Sequence, residues 1–328
     1  MPTHLSARQR ALWPLLGILL LGALFNANGA FFRWQTHAAL LREVSVTGVL
    51  ACGMTVVIVS GGIDLAVGSL LGLCAVSFAL LTLPFGLPGG LAVVLVLALG
   101  SAAGALSGFL IGKLALPPFI VTLAMMVFAR GLAKQLSGGQ KVSSYVQNTD
   151  GQFLHLALPE IYSAIDARVL GGSLSVVSLV FAGCVGLTWL VLQRQRVGRY
   201  LYAIGGNAQA ARLSGVPVRA TLCFAYALSG LLAAVAGICQ AAQETQGDPE
   251  TGAGYELDAI AMVVLGGTRL SGGSGGVGLT VLGVLTLGYL QKVLSLNAFS
   301  SELRLMLTGV ILVFALLFQR KSQAGFQA

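Results

Sequence analysis

The chain has 328 residues, 56% of them hydrophobic and only 9% charged, with a formal net charge of +8. A soluble domain carries roughly 25% charged residues, and no series of short alternating strands points to a membrane β-barrel. What remains is an all-α polytopic membrane protein, whose excess Lys and Arg belongs to loops on one membrane face rather than to a nucleic-acid surface, since no stacking aromatics surround it.

Ten apolar runs are predicted as spans: residues 11–32, 44–60, 65–83, 90–112, 118–137, 174–192, 220–242, 255–267, 276–296 and 303–319. About 20 apolar residues cross a hydrocarbon core of ~30 Å as helix. The first run follows Arg8 and Arg10 in the manner of a signal peptide, but no clear cleavage site follows it, so it is expected to stay as a span. A tight break, Ser60-Gly61-Gly62-Ile63-Asp64, separates the second and third runs, and the eighth is short. Discontinuous helices are predicted at both places.

Asp64 is the first candidate for function. A carboxylate between two apolar runs is costly in lipid, so it faces protein or water, often at a functional site. Two readings stand side by side. Asp64 caps the helix that begins near Leu65, whose first N–H groups lack partners, or it lines a substrate pathway. Gly61 and Gly62 let the backbone unwind there.

In the fourth span Gly100, Gly104 and Gly108 recur every four residues and form a close-packing face. Pro117-Pro118 gives a rigid entry to the fifth span. Toward the far end of that span, Arg130 and Lys134 lie one turn apart. Glu256 and Asp258 open the eighth span. They are natural partners for Arg130 or for a docking protein, and equally they are N-terminal acids favoured by the helix dipole.

The loop 138–173 is expected to hold short helices lying along the surface, and the loop 243–254 is acidic. Each is either a receiving face on the outside or a solvated linker. The loop 193–219 is the most basic stretch, with Arg194, Arg196, Arg199, Arg212 and Arg219 and no acid. Within it, Gly205-Gly206-Asn207 is predicted as a turn capping a short helix over 208–213, closed by Gly215 and Pro217. Two glycine-rich breaks, 57–72 and 264–278, resemble each other, the second containing Gly266 and Gly267. Internal duplication of this kind occurs in many transporters.

The positive-inside bias places the N-terminus, Lys113, the 193–219 loop, Arg269, Arg320 and Lys321 in the cytoplasm, with both termini inside. Arg33 and Arg42 are exceptions, expected on a short outer loop. Cys52, Cys74, Cys184, Cys223 and Cys239 all fall inside apolar runs, and His4, His37 and His155 are scattered. Neither a metal site nor a disulfide framework is predicted. GGSGGVG (272–278) lacks the ending of a phosphate loop, so any use of ATP falls to another protein; no cofactor and no catalytic constellation is predicted.

Five stretches carry a resemblance: GMTVVIVSGGIDLAVGSLLG (53–72), LPPFIVTLAMMVFARGLA (116–133), GRYLYAIGGNAQAARLSGV (198–216), LSGLLAAVAGI (228–238) and ELDAIAMVVLGGTRLSGG (256–273). In this order and spacing the chain resembles, from about residue 44 to 320, the permease subunits of bacterial ABC sugar importers of the ribose, xylose, arabinose and galactofuranose type. The resemblance implies a type II importer fold, with one permease domain over 1–328 in the bacterial inner membrane. A second permease subunit, identical or related, would complete a monosaccharide pathway. A periplasmic sugar-binding protein would dock on the outer loops, and cytoplasmic ABC ATPase subunits on the 193–219 coupling loop. Asn207, Ala208, Ala211, Arg212, Leu213 and Gly215 match the family's docking segment. Asp64, Ser69 and Thr122 are expected along the pathway. Gly61, Gly62, Arg130, Glu256, Asp258, Gly266 and Gly267 are expected in structural or gating roles.

Alternatives stay open at this point. The arginines of 193–219 would also hold that loop at lipid headgroups. An ion-coupled secondary transporter would use Asp64 as a coupling carboxylate. The same permease architecture would also carry branched-chain amino acids or an autoinducer.

Overall fold

Nine of the ten predicted spans are helices in the computed structural model, which describes residues 7–147, 153–304, 306–307 and 309–310. Of the tenth, 303–319, residues 303–304, 306–307 and 309–310 are helical, and the rest of it lies outside the described residues, as do Arg320 and Lys321. The first helix, α1 (Ala7–Leu24), packs on α12 (Val277–Leu296), and Asn297 Nδ2 donates to the Phe25 carbonyl at 2.9 Å. After α1 the chain turns, with Asn26 Oδ1 accepting from Gly29 N at 2.8 Å, and passes through one 3-10 turn, Ala30–Phe32. The first span is therefore shorter than 11–32.

Helix α2 (Trp34–Val59) begins ten residues before the predicted second span. Arg42 and Glu43 read as loop residues, yet Leu40 and Val44 beside them are buried, and both charges have partners. Arg42 pairs with Asp166, and Lys292 donates to Glu43 at 2.8 Å. Arg42 is thus a helical residue, not part of an outer loop. Then come α3 (Val67–Thr82), α4 (Gly89–Leu114) and α5 (Pro118–Ser137).

The following segment contains β1 (Val142–Ser143), β2 (Tyr145–Gln147), β3 (Phe153–His155), α6 (Glu160–Ile165), β4 (Arg168–Val169) and β5 (Leu174–Ser175). So 138–173 has one short helix, as expected, plus strands too short for a sequence period to reveal. The chain continues with α7 (Val176–Arg194), α8 (Arg196–Gly206), α9 (Ala208–Leu213), α10 (Val218–Glu244), β6 (Gln246–Gly247), α11 (Tyr255–Leu265) and α12 (Val277–Leu296). β2 pairs with β3 and β4 with β5, whereas β1 pairs across the molecule with β6.

Helix α2 is buried over nearly all of Val44–Val59, surrounded by α7, α10, α11 and α12. Outward-facing residues of α4 and α5 are large and apolar: Val94, Phe109, Phe119, Ile120, Val127 and Phe128 are all exposed. Contiguous apolar surface of this kind is stable in lipid or against a partner and not in water. Among the described residues six helices are long and apolar enough to cross a membrane, and α1 and α3 contain shorter apolar ones.

The closest helix pair is α4 with α10. A Cβ on Gly100, Gly104, Gly108 or Gly112 would meet backbone of Gly230, Tyr226, Cys223 or Arg219 respectively, so the glycine face predicted on α4 lies flat against α10, running antiparallel to it. Without a hydrophobic drive between helices in lipid, such backbone approach supplies dispersion contact that larger residues would prevent.

Two helices start at mid-depth rather than at a membrane face: α3, with 16 residues, and α11, with 11. Gly53 of α2 touches Ser229, near the middle of α10, and Ser229 Oγ donates to Asp64 at 2.8 Å. By Asp64 the chain has therefore returned to the height of Gly53. It goes down past Val59, turns at Gly61, and rises again so that α3 starts at mid-depth. On the other side, the segment after α10 descends along α3: Gly247 lies on Ala75, Val76 and Ala79, Thr251 on Gly72, and Gly252 on Gly68. Helix α11 then starts beside the start of α3. Its 11 residues span ~16 Å at 1.5 Å each, half a bilayer core. Both breaks predicted from sequence are present, and their helix starts meet.

Candidate functional site

Helices α8 and α9, which follow the apolar span α7, form a polar arm at the end of the molecule where α2 and α11 terminate. Ser175 caps α7, accepting from Val177 N at 3.2 Å. At its other end Gly198 lets α8 fold back tightly, since a Cβ there would strike the carbonyls of Val191 and Leu192. Helix α8 buries Gly198, Leu201 and Ile204 and exposes Arg196 and Arg199. Arg194 sits over the Trp189 ring, 5.3 Å from its centroid. The sequence predicts a turn at Gly205-Gly206; the structure instead makes both the last residues of α8. The three inward positions, one turn apart, are enough to sustain a helix beneath a basic surface.

Helix α9 forms as predicted. Asn207 Oδ1 accepts from Ala210 N at 2.9 Å, the N-cap bond expected of Asn. Gly215, with φ of 80°, closes the helix, and Val216 N donates back to Ala211 O at 3.0 Å. Ala211 points inward against Ile204 and Val218. Asn207, Ala208, Arg212, Leu213 and Gly215 are exposed, and Leu213 is 84% exposed, the highest among the large exposed hydrophobics. A rigid two-turn helix thus presents a leucine beside an arginine on an otherwise polar surface.

The mid-depth break is held by side chains from α5 and α10. Asp64 is buried; besides Ser229, it accepts from Ala66 N at 3.0 Å. That bond lies one residue before α3, which begins at Val67 and has no side-chain cap, so Asp64 stabilises the turn entering the helix rather than its first N–H groups. Thr122 Oγ1, fully buried on α5, donates to Pro118 O at 2.9 Å and Ile63 O at 3.3 Å. Ser69 is buried on the first turn of α3. Gly62 leaves room for the Tyr226 hydroxyl. Ser229 escapes sequence reading because a lone hydroxyl in LSGLLAAVAGI gives no hint of the carboxylate it meets.

Arg130 is half-buried on α5, and its Nη1 donates to Pro249 O and, at 2.8 Å, to Thr251 O. The expected acceptors were Glu256 or Asp258; the direct ones are carbonyls of the descending segment 245–254, which no helix or sheet satisfies. Glu256 instead lies against Gly68 at the start of α3, and both Glu256 and Asp258 stand in the first turn of α11. Lys134 pairs with Glu250 at 2.6 Å and Lys141 with Asp248 at 3.1 Å. Together with β1–β6, these bonds clamp 245–254 to α5 and to the chain just after it. Gly266 ends α11 and packs on the Leu279 carbonyl of α12; Gly267, with φ of 98°, follows it.

The structure thus gathers Asp64, Thr122, Gly62 and Ser229 in one place, Arg130 and Glu256 near the opposing helix starts, and the α9 residues at one end. Cys52, Cys74, Cys184 and Cys239 are buried and all five cysteines are free. Among the described residues no group of His, Cys, Asp and Glu is arranged to hold a metal ion.

Comparison with known proteins adds the following. A family model described as branched-chain amino acid transport system / permease component matches residues 37–316. The ribose import permease protein RbsC of Bacillus subtilis (strain 168) is 38% identical over 328 residues, covering 98% of this chain and 96% of the relative. The L-arabinose transport system permease protein AraH of Escherichia coli (strain K12) is 38% identical over 302 residues, covering 92% and 87%. The inner membrane ABC transporter permease protein YjfF of the same strain is 36% identical over 317 residues, covering 95% and 92%. No solved structure matches the chain.

Proposed function

The chain belongs to the branched-chain amino acid transport system / permease component family, and on that premise we propose that it is the membrane-spanning subunit of an ATP-driven importer for a monosaccharide. It is a multi-pass membrane protein and a transport subunit rather than an enzyme. Full-length relatives named for ribose and arabinose support a sugar as cargo over an amino acid. We place the protein in a bacterial inner membrane, with the α8–α9 arm and both termini in the cytoplasm, where the positive-inside bias puts Arg196, Arg199 and Arg212. The whole chain acts as one permease domain.

The observation that carries the reading is α9. Capped at Asn207 and closed at Gly215, it turns only Ala211 inward and holds Arg212 and Leu213 outward, a defined basic surface on which a partner can dock. A cytoplasmic ABC ATPase is the proposed partner there, because the chain has no phosphate loop of its own. On the opposite face, the clamped acidic segment 245–254 and the loop 138–173 offer a surface for a periplasmic sugar-binding protein. A second permease subunit completes the pathway. ATP binding draws the two ATPases together and moves the two arms. The spans around the mid-depth break then shift, so that access passes from one face to the other.

Membrane vesicles loaded with ATP and supplied with the binding protein provide the test, using labelled ribose and arabinose in separate assays. Uptake is expected to stop with vanadate and to persist with an uncoupler. Uptake that survives vanadate and collapses with the uncoupler contradicts the proposal and favours an ion-coupled carrier.

A further inference from the structure

The two glycine-rich breaks that look like duplicates in the sequence meet in space, and the glycine pair of α8 sits between them. The Gly273 N–H donates to the Val59 carbonyl at 2.9 Å, joining the end of α2 to the segment between α11 and α12. A Cβ on Gly272 would stand 2.8 Å from Gly61 Cα and 2.9 Å from Gly205 Cα; one on Gly273 would stand 2.9 Å from Gly206 Cα. A Cβ on Gly205 would collide with the Val59 carbonyl oxygen and with Gly273 N, backbone on both sides. Gly61, Gly272 and Gly273 also hold positive φ of 84°, 84° and 70°, which other residues rarely adopt. One turn earlier on α8, Tyr202 Oη donates to the Gly275 carbonyl at 2.9 Å. Three backbone segments therefore touch without intervening side chains and are pinned by two hydrogen bonds.

We propose that Gly205 and Tyr202 are the positioning residues that transmit movement of α9 to both discontinuous helices at once. The proposal rests on the reading that the ATPase docks on α9. Ala211 of α9 packs against Ile204 of α8 and Val218 of α10, so α9 cannot move without carrying the end of α8. The end of α8 bears directly on Val59, whose chain leads through Gly61 to Asp64 and α3. It bears equally on 272–276, which connects α11 to α12. Interposed side chains would absorb a small displacement by changing rotamer, whereas backbone packed on backbone passes it on. A push at one arm thus reaches the two helix starts that meet at mid-depth.

The neighbour of Gly205 supplies the control, since a Cβ on Gly206 meets nothing within 4 Å. The experiment compares Gly205→Ala, Tyr202→Phe and Gly206→Ala in the assembled complex. It measures ATPase co-purification, ATP hydrolysis, and uptake of the labelled pentose that the parent takes up. Gly206→Ala is expected to match the parent. Gly205→Ala and Tyr202→Phe are expected to retain the ATPase and its hydrolysis while sugar moved per ATP falls about ten-fold and about three-fold respectively. A merely structural defect would lower hydrolysis and uptake together. If Gly205→Ala does not assemble, Tyr202→Phe alone decides, because it removes one hydroxyl and no packing. Normal coupling in the assembled variants overturns the proposal, and so does loss of the ATPase from Tyr202→Phe. Should the ATPase stay bound when 207–215 is replaced, it is the docking reading that fails.

Discussion

Replacing residues 207–215 by a glycine-serine linker is expected to strip the partner ATPase from the purified complex, and Arg212→Glu alone to weaken its binding about ten-fold or more, the equivalent of ~1.4 kcal/mol. The reasoning is geometric. Only Ala211 of α9 is turned inward, so most of the helix contributes nothing to the permease's own core. Its cap at Asn207 and its close at Gly215 hold an exposed surface that includes Arg212 and Leu213. Reversing the charge leaves Leu213 in place but sets like charge against a surface built for arginine. Pull-down of the ATPase from detergent-solubilised membranes reads both effects. An ATPase that still binds after replacement of the whole segment removes α9 from the docking site.

Gly104→Leu is expected to abolish assembly of the permease altogether. A Cβ at that position already collides with the Tyr226 carbonyl of α10. Overpacking a core by a methylene or two costs ~1–3 kcal/mol; here an entire side chain must enter a contact between backbones, so α4 and α10 have to separate along the glycine row. Gly186→Ala on α7 is the matched control, since its Cβ meets nothing within 4 Å, and it should fold as well as the parent. Size-exclusion profiles in detergent, recorded on heating, compare the two. Normal folding of Gly104→Leu would mean that the α4–α10 contact is not the closest in the membrane.

What the sequence reveals depends on whether the determining contacts are local. Helix α9 is legible because its cap and its close are chemistry between residues three to five apart. The spans are legible because lipid demands long apolar helices. The glycine face of α4 is legible as a face, but its partner α10 is not, because nothing in a glycine names what lies against it. Helix α8 reads as a loop because its arginines dominate a segment in which only Gly198, Leu201 and Ile204 are buried. The start of α2 is hidden for the opposite reason: Arg42 and Glu43 look exposed until Asp166 and Lys292 supply partners more than a hundred residues away. Arg130 shows the same limit. Its charge suggests a carboxylate, whereas its acceptors are carbonyls of a segment whose descent along α3 exists only in the fold. The two glycine-rich breaks are visible as breaks and even as a pair; that they touch is a tertiary fact.

The central claim is that energy enters from the cytoplasm through α9, and the most direct measurement is the reactivity of a Leu213→Cys variant toward a membrane-impermeant maleimide. The background is low, since four native cysteines are buried and the half-exposed Cys223 can be replaced by alanine. The variant is predicted to be unreactive in intact cells, reactive in inverted vesicles stripped of the ATPase, and protected again when the ATPase is added back. Labelling in intact cells, or equal labelling with and without the ATPase, would contradict the account.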